Sequence, residues 1–212
     1  AYKPNGWNTA ANGSGTAYAS GGTYAGTSGN QTMYAQWTPT SYTITYNGNN
    51  GSTPSKLTYN IESTSTLASS SRTGYTFNGW KPSTTSGNWS SGTTYKSGTS
   101  VKGKYGNVTL VAQWTAFKYT VVFNKNSSNA TGTMSNQVFN YGTAQNLTAN
   151  AFKNNGFKFA GWATSPTGNV AYTDKASVNN LTATNNGTVT LYAKWTANLV
   201  AKYDTSGGYY YV

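Results

Sequence analysis

Cysteine and histidine are absent from this chain, and acids nearly so: Glu62, Asp174 and Asp204 are its only carboxylate side chains. Without cysteine there are no disulfides, thiolate metal sites or cysteine nucleophiles. Without histidine there are no imidazole triads, imidazole metal sites or imidazole acid–base catalysis. The three acids fall in three different stretches, whereas a two-carboxylate glycosidase holds its pair within about 10 Å. No enzyme is expected, and no metal or other cofactor. An apolar run of transmembrane length is also missing, so no membrane span is expected. Neither a signal peptide nor a sorting tail is visible; segments for export would lie outside this sequence.

Charge is sparse and one-sided. Only 8% of residues are charged, yet the formal net charge is +11. The lysines are scattered, and their densest cluster is Lys102-Gly103-Lys104. A solubilising surface explains this; attraction to a cell-wall polyanion such as teichoic acid, or to an acidic glycan, is the sharper reading. The arrangement of aromatic and basic residues expected of an RNA platform is not found, so no specific nucleic-acid partner is expected. Leu, Ile, Val and Phe are scarce, while Tyr numbers 18 and Trp 7. That aromatic content excludes disorder and implies small cores built on rings.

What is present is a repeat. Gly74-Tyr75-Thr76-Phe77-Asn78-Gly79-Trp80 pairs with a later strand pattern at 108–114 that ends Ala112-Gln113-Trp114. The same pair returns as Gly156-Phe157-Lys158-Phe159-Ala160-Gly161-Trp162 with 189–195, and in weaker form as Tyr2-Lys3-Pro4-Asn5-Gly6-Trp7 with 31–37. The period, roughly 75–80 residues, exceeds that of solenoids and suits a small domain per unit. The division that follows is 1–38, the C-terminal half of a repeat; 39–115 and 116–196, two complete repeats; and 197–212, the opening strand and hairpin of another. Trp7, Trp37, Tyr75, Phe77, Trp80, Trp114, Phe157, Phe159, Trp162 and Trp195 are the expected core.

Alternation in Tyr42, Ile44 and Tyr46, and in Tyr119, Val121 and Phe123, marks the first strand of each complete unit. Second strands are expected over 56–61 and around 137–139. The Ser/Thr run 63–73 reads as a loop with at most one helical turn. Thr148, then 149–155 and Gly156, predicts a capped helix of about two turns. Trp80 has the opposite parity to Tyr75 and Phe77, so Gly79 is expected to form a β-bulge. Pro4 cannot donate to a ladder and predicts an edge or a break. Tyr18/Tyr24, Tyr95/Val101 and Tyr172/Val178 share one spacing and are expected framework positions.

These first strands, the Gly-Trp stretch and Val189-Thr190-Leu191-Tyr192-Ala193-Lys194-Trp195 together resemble the Listeria–Bacteroides repeat, the B-repeat of internalin-type bacterial surface proteins. The resemblance spans nearly the whole chain. It implies mainly β domains (α+β at most) of a β-grasp-like fold, arranged in tandem on secreted or wall-attached proteins. It also implies a stalk, spacer or adhesion role, and no catalytic residues to carry over.

Two functional expectations follow. The first is an extracellular structural protein whose copies join head to tail, the strand bearing Leu199, Ala201, Tyr203, Tyr209 and Tyr211 completing residues 1–38 of a neighbour. The other reading of the same ends is a piece cut from a longer array. The second is an adhesin or glycan-binding module. Trp89 is its candidate contact, being the one tryptophan off the repeat, and Tyr209 to Tyr211 offer a further platform. A Lys–Asn isopeptide crosslink would need an acid in a unit core, and only Glu62 qualifies by position; a solvent-facing glutamate is the plainer reading.

Overall fold

The computed structural model describes residues 1–26, 29–84, 86–199, 201–203 and 206–211. Every regular element among them is a strand. The first seven are β1 (Tyr2–Asn8), β2 (Ala17–Tyr18), β3 (Tyr34–Pro39), β4 (Tyr42–Asn47), β5 (Leu57–Tyr59), β6 (Tyr75–Thr84) and β7 (Val108–Ala116). Then follow β8 (Lys118–Asn124), β9 (Ala130–Thr131), β10 (Gln137–Asn140), β11 (Gln145–Asn146) and β12 (Lys153–Asn154). The last are β13 (Phe157–Ala163), β14 (Ser177–Val178), β15 (Gly187–Ala197), β16 (Ala201–Tyr203) and β17 (Tyr209–Tyr211). Contacts divide the chain into two compact units, Ala1–Arg72 with Phe77–Trp114, and Thr73–Thr76 with Thr115–Val212.

In the first unit one sheet runs β5-β4-β7-β6. The opening strand β4 lies parallel to the closing strand β7, with Ile44 opposite Val108 and Tyr46 opposite Leu110. Alternation sets which side chains go inward: Ile44, Tyr46, Val108, Leu110 and Ala112 are buried, and the threonines between them face outward. Leu67, Trp80, Trp89, Tyr95 and Val101 close this core, with Phe77 and Trp114 leaning on it.

The second unit has the order β10-β8-β15-β13-β12-β9, again with its first strand parallel to its last, Val121 opposite Val189. Tyr119, Val121, Phe123, Phe139, Trp162 and Leu191 form its centre, with Phe159 and Trp195 packed against it.

Residues 1–39 make a separate sheet, β2-β1-β3. β1 continues past Pro4 and is not broken there. On its β2 side only Trp7 and Asn8 are paired, so Pro4 sits on a free margin. The register slips between Pro4 and Trp7. The same slip falls between Phe159 and Gly161 in the second unit, the bulge that strand parity requires.

The helix expected over 149–155 does not form. Asn150 Oδ1 accepts the Phe152 N–H at 3.0 Å, and Asp174 Oδ1 accepts the Asn150 N–H at 2.8 Å. The Phe152 N–H, which in a helix capped by Thr148 would donate to the Thr148 carbonyl, is thus taken by the Asn150 side chain. Leu147 is meanwhile tied to Ala176, its N–H donating to that carbonyl at 2.9 Å. The 63–73 loop likewise contains no helical turn. It is held by a Thr66–Ser100 bridge.

Candidate functional site

A recurring construction joins the first and last strands of both complete units. After β4, Asn47 Oδ1 accepts the Asn49 N–H at 2.9 Å, which turns the chain with Asn49 at φ 46°. Asn49 Nδ2 then donates to the Ala112 carbonyl at 3.1 Å, and the Trp114 indole donates to the Gly48 carbonyl at 3.1 Å. After β8 the pattern repeats. Asn124 Oδ1 accepts the Asn126 N–H at 2.8 Å, with Asn126 at φ 49°. Asn126 Nδ2 donates to the Ala193 carbonyl at 3.1 Å, and the Trp195 indole to the Lys125 carbonyl at 2.9 Å. Asparagine suits both demands, tolerating the left-handed backbone and supplying an amide. The aromatic just before each turn covers the buried tryptophan: Tyr46 lies 4.7 Å from Trp80, and Phe123 lies 4.9 Å from Trp162. The short motif aromatic-Asn-x-Asn at 46–49 and 123–126 is therefore a clasp. Its repetition is visible in the sequence, but its long-range partners are not.

Residues 1–38 contain the closing half of this arrangement. β3 is paired only to β1 among the described residues, so the edge that β7 and β15 offer to a first strand is unpaired in β3. The consequence is exposure: Trp7 is 45% and Trp37 58% accessible, with Tyr34 also open. The expectation that Trp7 and Trp37 are interior is thereby corrected. They carry the motif, but no described strand supplies the aromatic cover and turn carbonyl that their counterparts receive.

Phe157 is corrected likewise, being 45% exposed at the head of β13. Tyr75 lies half-buried outside the core cluster, edge-on to Tyr141 at 5.8 Å. Trp80 and Trp162 are completely buried. Trp80 Nε1 donates to the Ala68 carbonyl at 2.7 Å, whereas the equivalent Nε1 of Trp162 finds no acceptor. The loop between Leu147 and Gly156 is two residues longer than that between Leu67 and Gly74, and it does not return a carbonyl to that position.

Trp89, the expected glycan contact, is inside. It is 6% exposed, and its indole donates to Tyr59 Oη at 2.7 Å. Its ring meets Tyr95 at 5.0 Å, and Lys104 Nζ lies 5.2 Å from it. In the stretch between Trp80 and Tyr95 this tryptophan packs into the core of the unit, so its ring is not available to a sugar. Burial holds the Tyr59 hydroxyl above the ordinary tyrosine value, partly offset by the indole bond. Glu62 faces solvent and accepts from Tyr2 Oη at 2.7 Å, a bond that raises the Tyr2 hydroxyl above its usual value. It is therefore not a buried acid poised for a crosslink.

The strand expected to mediate assembly has a defined backbone: β16 and β17 pair with Ala201 opposite Tyr211 and Tyr203 opposite Tyr209. Leu199 is 70% exposed. Asp204 of the expected turn lies outside the described residues. Among the described residues no group of three His, Cys, Asp or Glu side chains gathers to hold a metal.

An all-β modular repeat, with aromatic centres and the first strand clasped to the last, is the class of protein this geometry defines. The Listeria-Bacteroides repeat domain model matches residues 42–113 and 119–194, and the chain belongs to that family. It is also 30% identical, over 98% of its length, to a protein of Evansella cellulosilytica named as a Gly-rich membrane protein. The chain spans only 24% of that relative. Among the described residues no helix is long and apolar enough to cross a membrane.

Proposed function

We propose that this chain is an extracellular structural protein, a stalk or spacer of tandem β modules displayed on a bacterial surface. The observation that carries the reading is where its aromatic rings lie. In both complete units the tryptophans build or pack against the cores. The family membership supports a modular array, and the relative's name supports an envelope setting. The reading assigns no enzymatic activity; its partners are other copies and the wall polyanion or glycan that a +11 surface attracts.

Assembly is the finer part of the proposal. The unpaired edge of β3, with Trp7 and Trp37 open beside it, is an acceptor for a parallel first strand. The β16–β17 hairpin of a second copy is the donor, which joins copies head to tail into a fibre by strand addition. Sedimentation velocity and electron microscopy of the 212-residue chain, with and without residues 199–212, test this. Oligomers or filaments are expected for the whole chain and monomers for the deletion. Assembly that survives the deletion, or a whole chain that stays monomeric at all concentrations, overturns strand complementation.

The adhesin reading loses Trp89 to the core. A groove on the second unit still favours a sugar contact, at a different place.

A further inference from the structure

We propose that the groove beside the β12–β13 turn of the second unit is a binding site for a pyranose unit of a neutral oligosaccharide. The loop between Leu147 and Gly156, two residues longer than its counterpart in the first unit, carries β12, which pairs with β9 and with β13 beside the groove. The groove encloses about 500 Å³, room for one or two sugar rings.

Its lining suits a sugar in three respects. Phe157, Phe159 and Trp195 contribute aromatic surface, Phe157 being 45% exposed and Phe159 meeting Trp195 edge-to-face at 5.7 Å. The C–H face of a pyranose is apolar and packs on such rings, while its hydroxyls point sideways. Asn129, Asn155 and Asn198 line the same groove. Each amide carries both a donor and an acceptor, the complement of a hydroxyl that also does both. The lining holds no carboxylate, and Lys153 is its one charged residue.

The observation that separates this groove from an ordinary surface dip is Asn154. It is part of the lining and only 7% exposed, and its Oδ1 is buried with no hydrogen-bond partner. Leaving a buried amide oxygen unpaired costs about 1–3 kcal/mol, so native structures seldom keep one without a use. The final torsion of an asparagine is soft. A ligand hydroxyl entering the groove draws the oxygen toward it and satisfies it. The first unit has no counterpart: its shorter loop carries no asparagine in this place, and Trp80 takes the Ala68 carbonyl directly.

The inference stands apart from fibre assembly, since it involves neither β3 nor residues 199–212. The test is titration of the 212-residue chain with chitotetraose and with cellotetraose, followed by calorimetry and by amide shifts in NMR. Binding at millimolar or lower concentration is expected for at least one of them, with shifts centred on Asn154, Asn155, Phe157 and Trp195. Phe157→Ala, at an exposed ring, leaves the melting temperature unchanged and weakens binding about tenfold or more. Asn154→Ala weakens binding similarly without lowering the melting temperature, because an unpaired oxygen is removed with the amide. No binding of either sugar, the result expected if the groove instead receives a neighbouring repeat, overturns the proposal. So does binding that Phe157→Ala leaves intact.

Discussion

Trp80→Ala is expected to remove about 3–5 kcal/mol from the first unit, the usual loss for deleting a buried indole. The ring is fully buried, lies 4.7 Å from Tyr46 and 5.1 Å from Phe77, and donates to the Ala68 carbonyl. Truncation opens a cavity and leaves that carbonyl unpaired at once. Domains of this size hold only about 5–15 kcal/mol in total, so the unit should be largely unfolded at moderate urea. Near-ultraviolet circular dichroism across a urea series reads the loss. Trp37→Ala in the chain lacking residues 199–212 is the control: with 58% of the residue in solvent, its cost should stay within about 0.5 kcal/mol. Equal losses at the two positions would mean that the recurring tryptophans are not distinguished by burial.

Gly161→Ala is expected to destabilise the second unit by more than the ~1–3 kcal/mol typical of a forced backbone conformation. Gly161 has φ of 140°, and an added Cβ would stand 2.5 Å from Val170 Cγ1 and 2.7 Å from the Tyr172 carbonyl oxygen. That oxygen accepts the Trp162 N–H at 2.7 Å, so it cannot retreat without breaking the bond that seats the tryptophan. Gly79 faces the Tyr95 carbonyl and Gly6 the Tyr18 carbonyl in the same way. The Gly-Trp pair thus has a shared physical reason at all three places: only glycine lets the neighbouring tyrosine strand approach. Gly156→Ala separates strain from collision. Its φ is also positive, at 80°, but nothing lies within 4 Å of the added carbon, so it should cost only about 1 kcal/mol. Thermal denaturation of the two variants compares them; similar melting temperatures would remove the steric account of the motif.

Much of this fold was legible because β-strands write their inward face into every second residue. Ile44 with Tyr46, and Val108 with Leu110 and Ala112, gave away both the strands and the side of the sheet that faces the core. The bulge was legible too, from the parity of Trp80 opposite to that of Tyr75 and Phe77; the second unit shows it as the slip between Phe159 and Gly161. Long-range side-chain partners were not. The pattern around Thr148 suggests a helix, yet the Asn150 side chain takes the Phe152 N–H, and the Leu147 N–H is tied to Ala176, distant in sequence. Trp89 looked spare because it is off the repeat, while its burial depends on Tyr59, thirty residues earlier. Trp7 and Trp37 show the converse. They match the motif, but a ring is buried by the strand laid over it, and the motif does not carry that strand with it.

The groove at Asn154 was invisible in the sequence for a related reason. Two extra loop residues and an unpaired amide have no pattern of their own; only the folded unit brings Phe157, Trp195 and the asparagines to one place.

Incorporating 5-fluorotryptophan and recording the fluorine spectrum in water and deuterium oxide examines all seven indoles at once. Trp80, Trp89 and Trp162 should show almost no solvent isotope shift, Trp114 and Trp195 intermediate shifts, and Trp7 and Trp37, in the monomeric form lacking residues 199–212, large ones. A large shift at Trp80 or Trp162 would contradict a protein built around enclosed rings, and with it the structural role proposed here.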